Sequence, residues 1–297
     1  MRVRYVYIIL VLFVGGYLSF KFAQIFGDSL FFKNKDRINM VIYGQQSALY
    51  SIDTNESRHY VLYFPPDLKM QVPGGYGNYR VGSLGKLAKL DGNQDIYRKT
   101  FAFATTAFVD YYFYPAGQEV YYGEKVSKTV TQPSFFDFIK YRSNASIVDR
   151  IYLLLTFFRI NQADITLIDY LERTNSAKKD IFFQEESFKQ ESIGLLFQKK
   201  YRTEHKSVQI LYDDRYQVAK NIASLLEGNG IRVNDISINF IDKKKCLLIE
   251  DRPDSNQFSS TVVDMADYFD CSIVKGKTDV YDIIFVLGNI EDDWEVV

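Results

Sequence analysis

The chain has 297 residues, of which 47% are apolar and 25% are charged, which is enough to bury one large core or two modest ones. That apolar fraction excludes a protein that is disordered over most of its length. The formal net charge of −1 hides a division. Residues 1–206 carry 27 lysines and arginines against 20 acidic residues, whereas residues 207–297 carry 9 against 17. A basic first body would favour anionic partners such as phosphorylated lipids or wall polymers; alternatively, the two bodies complement each other's charge.

The first predicted element is an apolar helix near the amino terminus. The stretch from Tyr5 to Phe20 contains no charged residue, and after Lys21 the apolar character continues to Phe26. Because a bilayer core needs about 20 apolar residues, residues 1–26 are predicted to be a cytoplasmic head and a transmembrane signal anchor. A cleaved signal peptide is the alternative, but no small-x-small cleavage motif follows the stretch. Basic residues lie on both sides, so charge does not decide the orientation.

A polar juxtamembrane linker, residues 27–38, leads into a region of mixed strands and helices. Apolar alternation and turn residues predict strands at residues 39–43, 48–52, 59–64 and 109–114. The helical period predicts helices at residues 81–90, 95–108, 135–140, 145–158, 166–172 and 185–199. Charged residues interrupt the apolar run at 147–158, which therefore predicts a buried helix rather than a second membrane span.

The most regular pattern lies in residues 207–288, which form two successive units of strand–helix–strand architecture without similarity in their residues. The apolar period switches between 2 and about 3.6 in each unit. The first unit has strands at 207–212 and 231–236 around a helix at 216–226, and the second has strands at 246–249, 271–274 and 282–288 around a helix at 261–269. This pattern predicts a compact α/β module that follows a hydrophilic connector at 199–206. The acidic tail at 291–293 is predicted to be solvated.

Four polar residues of the first region are candidates for substrate binding. Asp67 follows two prolines at a strand end, where it could hold a metal, position a phosphate, or satisfy the backbone N–H groups of a turn. Arg80, Arg142 and Arg150 could form an anion site through bidentate hydrogen bonds. The alternative is that they are surface arginines, with one structural ion pair made by Asp149.

The two cysteines, Cys246 and Cys271, both stand at predicted strand starts. A disulfide between them would fit an oxidising compartment, and the alternative is two small buried apolar side chains. The only histidines are His59 and His205. Because no cysteine or carboxylate cluster accompanies them at ligand spacing, they indicate no zinc site.

The C-terminal pattern resembles the LytR C-terminal domain. Residues 208–233 are similar to its opening, which has a short strand, a turn, an alanine-rich helix, a glycine and a second strand. Residues 261–269 look like its second helix, and the stretch Asp282-Ile-Ile-Phe-Val-Leu-Gly288 is similar to its closing strand.

Residues 39–160 resemble a diverged catalytic domain of the LytR–CpsA–Psr family. Residues 59–74 lie where that family has a strand, then Ile-Pro-Arg-Asp, then a strand ending in Pro-Gly. Residues 79–85 stand at its Lys-Ile-Asn-Ala segment, residues 108–114 are similar to its Val-Asp-Tyr-Tyr strand, and residues 141–150 echo its late arginine segment. The single N-terminal span also fits this family.

The resemblance implies a role in attaching glycopolymers from a polyprenyl-pyrophosphate carrier to the cell wall, outside the membrane. Two departures affect the expected chemistry. Pro66 stands where the family has an arginine before the shared aspartate, and the earlier acidic segment has no counterpart here. Transfer from a pyrophosphate needs cations or a metal at the leaving group and carboxylates to hold Mg²⁺.

We therefore expect an α/β protein with an N-terminal transmembrane helix, a diverged LytR–CpsA–Psr-like α/β domain at residues 39–200, and a smaller α/β module of two strand–helix–strand units at residues 207–290. It is expected to be a single-pass cell-membrane protein whose bulk is extracytoplasmic. It would be non-catalytic, without a cofactor or metal, and would bind or scaffold in cell-wall glycopolymer assembly. Asp67, Arg80, Arg142 and Arg150 are its expected substrate-binding residues.

Two alternatives remain at this level. The first is an active glycopolymer transferase, which would require Mg²⁺. The second is a membrane-tethered protein-interaction module. The expected partners are the membrane, a polyprenyl-phosphate lipid or a cell-wall polymer, and a protein that binds the C-terminal module; nucleic acid is not expected.

Overall fold

The structure is a computed structural model that describes residues 13–17, 20–21, 29–31, 33, 35–56, 58–117, 120–123, 129–170, 181–192, 194–239, 245–252 and 257–296. The strands are β1 (Arg37–Ile42), β2 (Ser47–Asp53), β3 (His59–Phe64), β4 (Lys69–Val72), β5 (Gly77–Arg80), β6 (Tyr111–Tyr114), β7 (Arg142–Ser143), β8 (Ile165–Leu167), β9 (Ser207–Tyr212), β10 (Arg232–Ile238), β11 (Leu247–Glu250), β12 (Ser272–Lys275) and β13 (Ile283–Val286). The helices are α1 (Leu84–Asp91), α2 (Asp95–Thr105), α3 (Phe135–Lys140), α4 (Ile147–Arg159), α5 (Glu185–Ser192), α6 (Lys199–Glu204), α7 (Tyr216–Gly228), α8 (Ser260–Phe269) and α9 (Ile290–Asp293).

The first sheet has the strand order β7-β6-β1-β2-β3-β8. Strand β1 is parallel to β6 and antiparallel to β2, and β2 is antiparallel to β3, which is parallel to β8. The carboxyl ends of β1, β3, β6 and β8 therefore lie at one edge of the sheet. We call this the carboxyl edge; the loops that begin at Tyr43, Pro65 and Pro115 lie there.

Both faces of this sheet are covered, which explains why β1 and β2 are buried along their whole length. One face, which includes Met40 and Phe113, packs against α3 and α4 through Phe138 and Phe157. The opposite face packs against α1 and α2. Strands buried on both faces read as nearly continuous apolar runs, and residues 40–42 at the end of β1 follow this pattern.

The second sheet has the order β10-β9-β13-β11-β12. Helix α7 connects the parallel pair β9 and β10, and α8 connects the parallel pair β11 and β12. Strand β13 runs between them, parallel to β9 and antiparallel to β11. Cys246 and Cys271 stand just before β11 and β12, and they form a disulfide with their Cα atoms 4.9 Å apart.

The two sheets share one hydrophobic core, because residues of both contribute to a single buried cluster. Between them the turn after α2 meets the end of α7. The Phe108 ring stacks on Tyr268 with centroids 4.2 Å apart, and the Phe108 backbone N–H donates to Asn229 Oδ1 at 2.9 Å. Gly228 lies so close that a Cβ there would be 2.0 Å from the Thr106 carbonyl oxygen.

Ion pairs across this junction join basic residues of the first region to acidic residues of the second. Lys33 lies 3.3 Å from Asp267, Lys99 lies 3.7 Å from Asp293, and Lys200 pairs with Asp264. At these positions, the excess of basic residues in the first region and of acidic residues in the second therefore stabilises the contact between the two halves of the molecule.

The predicted transmembrane helix requires a correction. Within the part of the chain that the structure describes, none of the helices combines the length and apolar character that a bilayer span needs. Residues 13–17 and 20–21 are helical, and the remainder of the predicted span lies outside the described residues. The mixed α/β class holds, but its transmembrane component was wrong.

Several local predictions also differ from the structure. The helix expected at residues 166–172 is wrong, because residues 165–167 form β8, the edge strand that pairs with β3. Residues 171 and 172 of that prediction lie outside the described residues. The connector at 199–206 contains α6, whose Tyr201 is buried at the junction of the two sheets. Helix α4, expected to be buried, buries only Asp149, Leu153 and Phe157.

The acidic tail was expected to be solvated, and Asp292 and Asp293 are exposed, but Glu291 is only 5% exposed. The Glu291 carboxylate accepts hydrogen bonds from the backbone N–H groups that precede α7, including Asp213 at 2.6 Å. Trp294 is only 3% exposed and packs near Tyr268 and Phe269. The Glu295 carbonyl oxygen accepts hydrogen bonds from two N–H groups of the β4–β5 hairpin, at 2.8 and 3.0 Å. The tail therefore closes the junction between the two halves.

We predict that Gly228→Ala lowers the free energy of unfolding by about 1–3 kcal/mol, because the new methyl group overlaps the Thr106 carbonyl and forces the two halves apart. Gly117→Ala is the matched control, because a Cβ there meets none of the described residues within 4 Å, and it should change the free energy of unfolding by less than about 0.5 kcal/mol. Urea unfolding measures both. Equal effects would contradict the close packing at Gly228.

A second prediction concerns Glu204, whose carboxylate accepts hydrogen bonds from Thr261 Oγ1 and from the N–H groups of Ser260 and Thr261 at the start of α8. Burial alone would raise the pKa of Glu204, but these hydrogen bonds outweigh it and hold the pKa below its ordinary value of 4.5. A carboxylate with a depressed pKa contributes stability above that ordinary value and loses the contribution as the pH falls.

Glu204→Gln should therefore lower the free energy of unfolding at pH 7 by about 1 kcal/mol, a typical capping contribution. The difference from the wild type should shrink as the pH falls below 4.5. Urea unfolding between pH 7 and about pH 3 measures it, with exposed Glu227→Gln as control. A difference that stays constant with pH would show that the carboxylate charge has no part in holding α8.

Candidate ligand-binding site

Residues 120–123 cross the carboxyl edge and hold its loops together. The Tyr121 N–H donates to the Gly82 carbonyl at 2.9 Å, and the Gly82 N–H donates to the Pro66 carbonyl at 2.8 Å. The Gly123 N–H donates to Asp67 Oδ2 at 3.1 Å. Gly82 is required here, because a Cβ would be 2.2 Å from the Tyr121 carbonyl oxygen. The loop after β3 is thus fixed in place by backbone contacts.

Asp67 has two roles in this loop. Its Oδ2 holds the Gly123 N–H, as expected of a turn residue, while its Oδ1 lies 3.6 Å from Arg80 Nη1. Oδ1 is buried and accepts no hydrogen bond from the described residues. The Arg80 side chain is 47% exposed, and its guanidinium lies over the Tyr122 ring at 5.8 Å. Asp67 therefore orients an arginine that stays open to solvent.

A cleft of about 320 Å³ opens beside this loop. We call it the aromatic cleft. Tyr97 and Tyr114 form one wall, with their rings stacked at 5.0 Å, and the small residues Gly85 and Ala88 of α1 leave room opposite. Arg142, which is exposed, stands beside Tyr114 in the register of β6 and β7. The full lining is Gly85, Ala88, Lys89, Gln94, Tyr97, Tyr114, Pro115, Ala116 and Arg142.

Tyr43 connects the cleft to the loop of Asp67. Its hydroxyl donates to the Gly82 carbonyl and accepts from the Gly85 N–H, both at 3.0 Å. Burial raises the pKa of Tyr43 and of Tyr97 well above the usual range, and burial raises the pKa of Tyr121 to about 12. These phenols are neutral at physiological pH, so the formal charge in the lining comes from Lys89 and Arg142.

Arg150 does not reach this site. Its Nη1 donates to the carbonyl oxygens of Phe138 at 2.9 Å and Tyr141 at 2.8 Å, and its Nε donates to that of Ala145 at 3.3 Å. Burial lowers its pKa. Arg150 therefore ties the end of α3 to α4, and a structural role replaces the anion-binding role considered for it.

The structure thus separates the four predicted residues. Asp67 and Arg80 form a pair, Arg142 lines the aromatic cleft at the same edge of the sheet, and Arg150 is bound to backbone carbonyls. Sequence reasoning missed Lys89 and Tyr97, which come from helices with no motif of their own. Tyr114 could have been found, because a tyrosine followed by proline at the end of a strand marks the carboxyl edge.

Neither histidine lies at the carboxyl edge. His59 begins β3, so it lies at the opposite edge of the sheet, and burial lowers its pKa. His205 ends α6 in a left-handed conformation. Among the described residues, no three histidine, cysteine or acidic side chains come together as a group that could hold a metal ion.

Comparisons with known proteins give few matches. No protein-family model matches the chain, and a search of curated proteins found no match. The chain is similar to the solved structure of B. subtilis TagT, with 22% identity and a TM-score of 0.24, over 28% of this chain and 34% of TagT. This match therefore spans about a third of the length of TagT.

Two further solved structures are similar to the chain. B. subtilis TagV matches at 10% identity and a TM-score of 0.35, over 67% of this chain and 99% of TagV. TagT bound to LIIa-WTA matches at 13% identity and a TM-score of 0.23, over 69% of this chain and 78% of that one. At these TM-scores the likeness carries no argument about activity or ligand. These solved structures are of LytR–CpsA–Psr family proteins.

Proposed function

We propose that the protein binds a phosphate-bearing cell-wall glycopolymer in the aromatic cleft, and that it acts in glycopolymer assembly as a binding component rather than as a transferase. The observation that carries the proposal is the position of Arg142 and Lys89 on an aromatic cleft at the carboxyl edge. In open α/β sheets, ligands bind outside the carboxyl ends of the strands. The sequence resemblance of residues 39–160 supplies the class of ligand.

The lining suits a sugar phosphate in both of its parts. The guanidinium of Arg142 can hold a phosphate through two parallel hydrogen bonds. The partly exposed ring of Tyr114 has an apolar face and a polar hydroxyl, so it can pack on a sugar ring and exchange hydrogen bonds with the sugar's hydroxyls. Tyr97 is only 2% exposed and supports Tyr114 from behind through the stacked rings. A volume of about 320 Å³ is at the small end of ligand sites, which fits one repeat unit of a polymer that continues into solvent.

The non-catalytic part of the proposal rests on the loop after β3. Pro66 replaces the arginine that the resemblance places there, so one cation for a pyrophosphate leaving group is missing. The carboxylate of Asp67 is engaged with the Gly123 N–H and with Arg80. The Asp67 carboxylate therefore positions Arg80. Asp67, Arg80 and Gly123 include only one acidic side chain, whereas holding Mg²⁺ in this loop would need a second carboxylate.

We also propose that the protein works outside the cytoplasm. The disulfide between Cys246 and Cys271 supports this location, because such bonds persist in oxidising compartments and are rare in the cytosol. The proposal does not depend on a transmembrane helix.

The binding test uses the full chain and a poly(glycerol phosphate) wall polymer in isothermal titration calorimetry. Arg142→Ala should weaken binding about tenfold or more, because it removes a charge-assisted hydrogen-bond pair to phosphate. Lys86→Ala is the matched control, since Lys86 is exposed on α1 but does not line the cleft; it should change the dissociation constant by less than about twofold.

Three results would contradict the proposal. Absence of binding to this polymer by the wild type would remove the glycopolymer function and favour a protein-interaction module. Equal losses in Arg142→Ala and Lys86→Ala would show that only general charge attracts the polymer. Mg²⁺-dependent cleavage of a polyprenyl pyrophosphate, lost in Asp67→Asn, would contradict the non-catalytic part of the proposal and favour the transferase alternative.

A further inference from the structure

Helix α4 presents a row of large apolar side chains to solvent. Ile147, Ile151, Leu155 and Phe158 follow the helical spacing, so they lie along one side of the helix, and each is between 44% and 78% exposed. The other side carries Leu153, which is buried against the first sheet. The sheet therefore uses only one side of a helix that is apolar on both.

Helix α3 extends this surface. Phe135, Phe136 and Ile139 are between 45% and 58% exposed. Helices α3 and α4 lie side by side over the same face of the sheet, because the rings of Phe138 and Phe157 are 5.8 Å apart. Their outward sides therefore adjoin. We call the three exposed residues of α3 and the four of α4 the apolar stripe.

The apolar stripe is large for a monomer. The exposed fractions of its seven residues amount to about four complete side chains, and at about 200 Å² for each large side chain this is about 800 Å². The largest apolar patch of a typical monomer is about 300–600 Å². A standard protein–protein interface buries about 800 Å² on each partner. The stripe therefore has the area that one side of a stable dimer requires.

We propose that the apolar stripe is the surface through which two copies of this chain associate about a two-fold axis. In such an interface the same patch of both copies is buried, so one stripe suffices for both sides. None of its seven residues is charged, so closing the interface leaves no unpaired charge without water. The exposed Lys140 and Arg159 stand at the ends of the two helices, where they can stay solvated at the rim.

The two-fold axis also suits the helices themselves. When α4 packs against its copy in antiparallel orientation, the amino end of one helix dipole faces the carboxyl end of the other. Side chains at spacings of three and four residues form the ridges that interlock in such helix pairs. The apolar stripe is a different surface from the aromatic cleft, so a test of dimer formation does not depend on whether the cleft binds the proposed ligand.

The test is sedimentation velocity of the full chain between about 1 and about 100 µM. The wild type should shift from a mass of 34.6 kDa to twice that value as the concentration rises. The double variant Ile151→Lys and Leu155→Lys should stay at the lower mass throughout. Val280→Lys is the matched control, because Val280 is 83% exposed and lies outside the stripe; it should dimerise like the wild type.

A second experiment locates the interface directly. Ile151→Cys introduces a thiol into a chain whose two native cysteines are already bonded to each other, so oxidation should cross-link two copies through residue 151. Val280→Cys should give no cross-linked dimer at the same concentration.

Three outcomes would overturn the proposal. These are a wild type that stays monomeric over the whole range, a dimer that survives the double lysine variant, or a monomer that co-sediments with phosphatidylglycerol vesicles and loses this binding in the double variant. The last result would assign the apolar stripe to a lipid surface instead.

Discussion

The contact between the turn after α2 and the end of α7 is the constraint on which the rest of the molecule depends. Gly228 brings the two backbones together because it has no side chain, and Asn229 satisfies the Phe108 N–H in the buried contact. This approach merges the cores of two sheets into one. It also fixes α2, whose Tyr97 forms a wall of the aromatic cleft, so the shape of the site depends on packing more than 100 residues away in sequence.

The parts of the fold that sequence reasoning predicted well are those governed by local chemistry. The strands and helices at residues 207–288 were expected close to their observed bounds, because alternation, helical spacing and the glycines after α7 all indicate the same structure. The predictions fail where residues that are distant in sequence determine the local structure. Residues 165–167 form a strand because β3 offers a free edge, and Trp294 is buried because Tyr268 and Phe269 lie nearby. The transmembrane prediction relied on apolar length alone.

In the candidate site, too, some features follow from the local sequence and others depend on residues that are distant in sequence. The loop of Asp67 could be placed from its prolines and its strand, and the edge of the sheet follows from that placement. The hydrogen-bond partners of each arginine could not be predicted, because a guanidinium donates to whichever oxygen atoms the fold places around it. Arg80 faces a carboxylate, Arg142 faces a cleft, and Arg150 donates to three carbonyl groups between Phe138 and Ala145. These neighbours come from four separate segments of the chain.

The packed C-terminal tail has a consequence for biosynthesis. Trp294 lies in the shared core, and the Glu295 carbonyl holds the hairpin that begins at residue 69. The first half of the molecule therefore reaches its final packing only after the ribosome has added residues 294 and 295. Until then the apolar surface around Tyr268 and Phe269 is uncovered, so a chain interrupted before residue 294 would present that surface to proteases and chaperones.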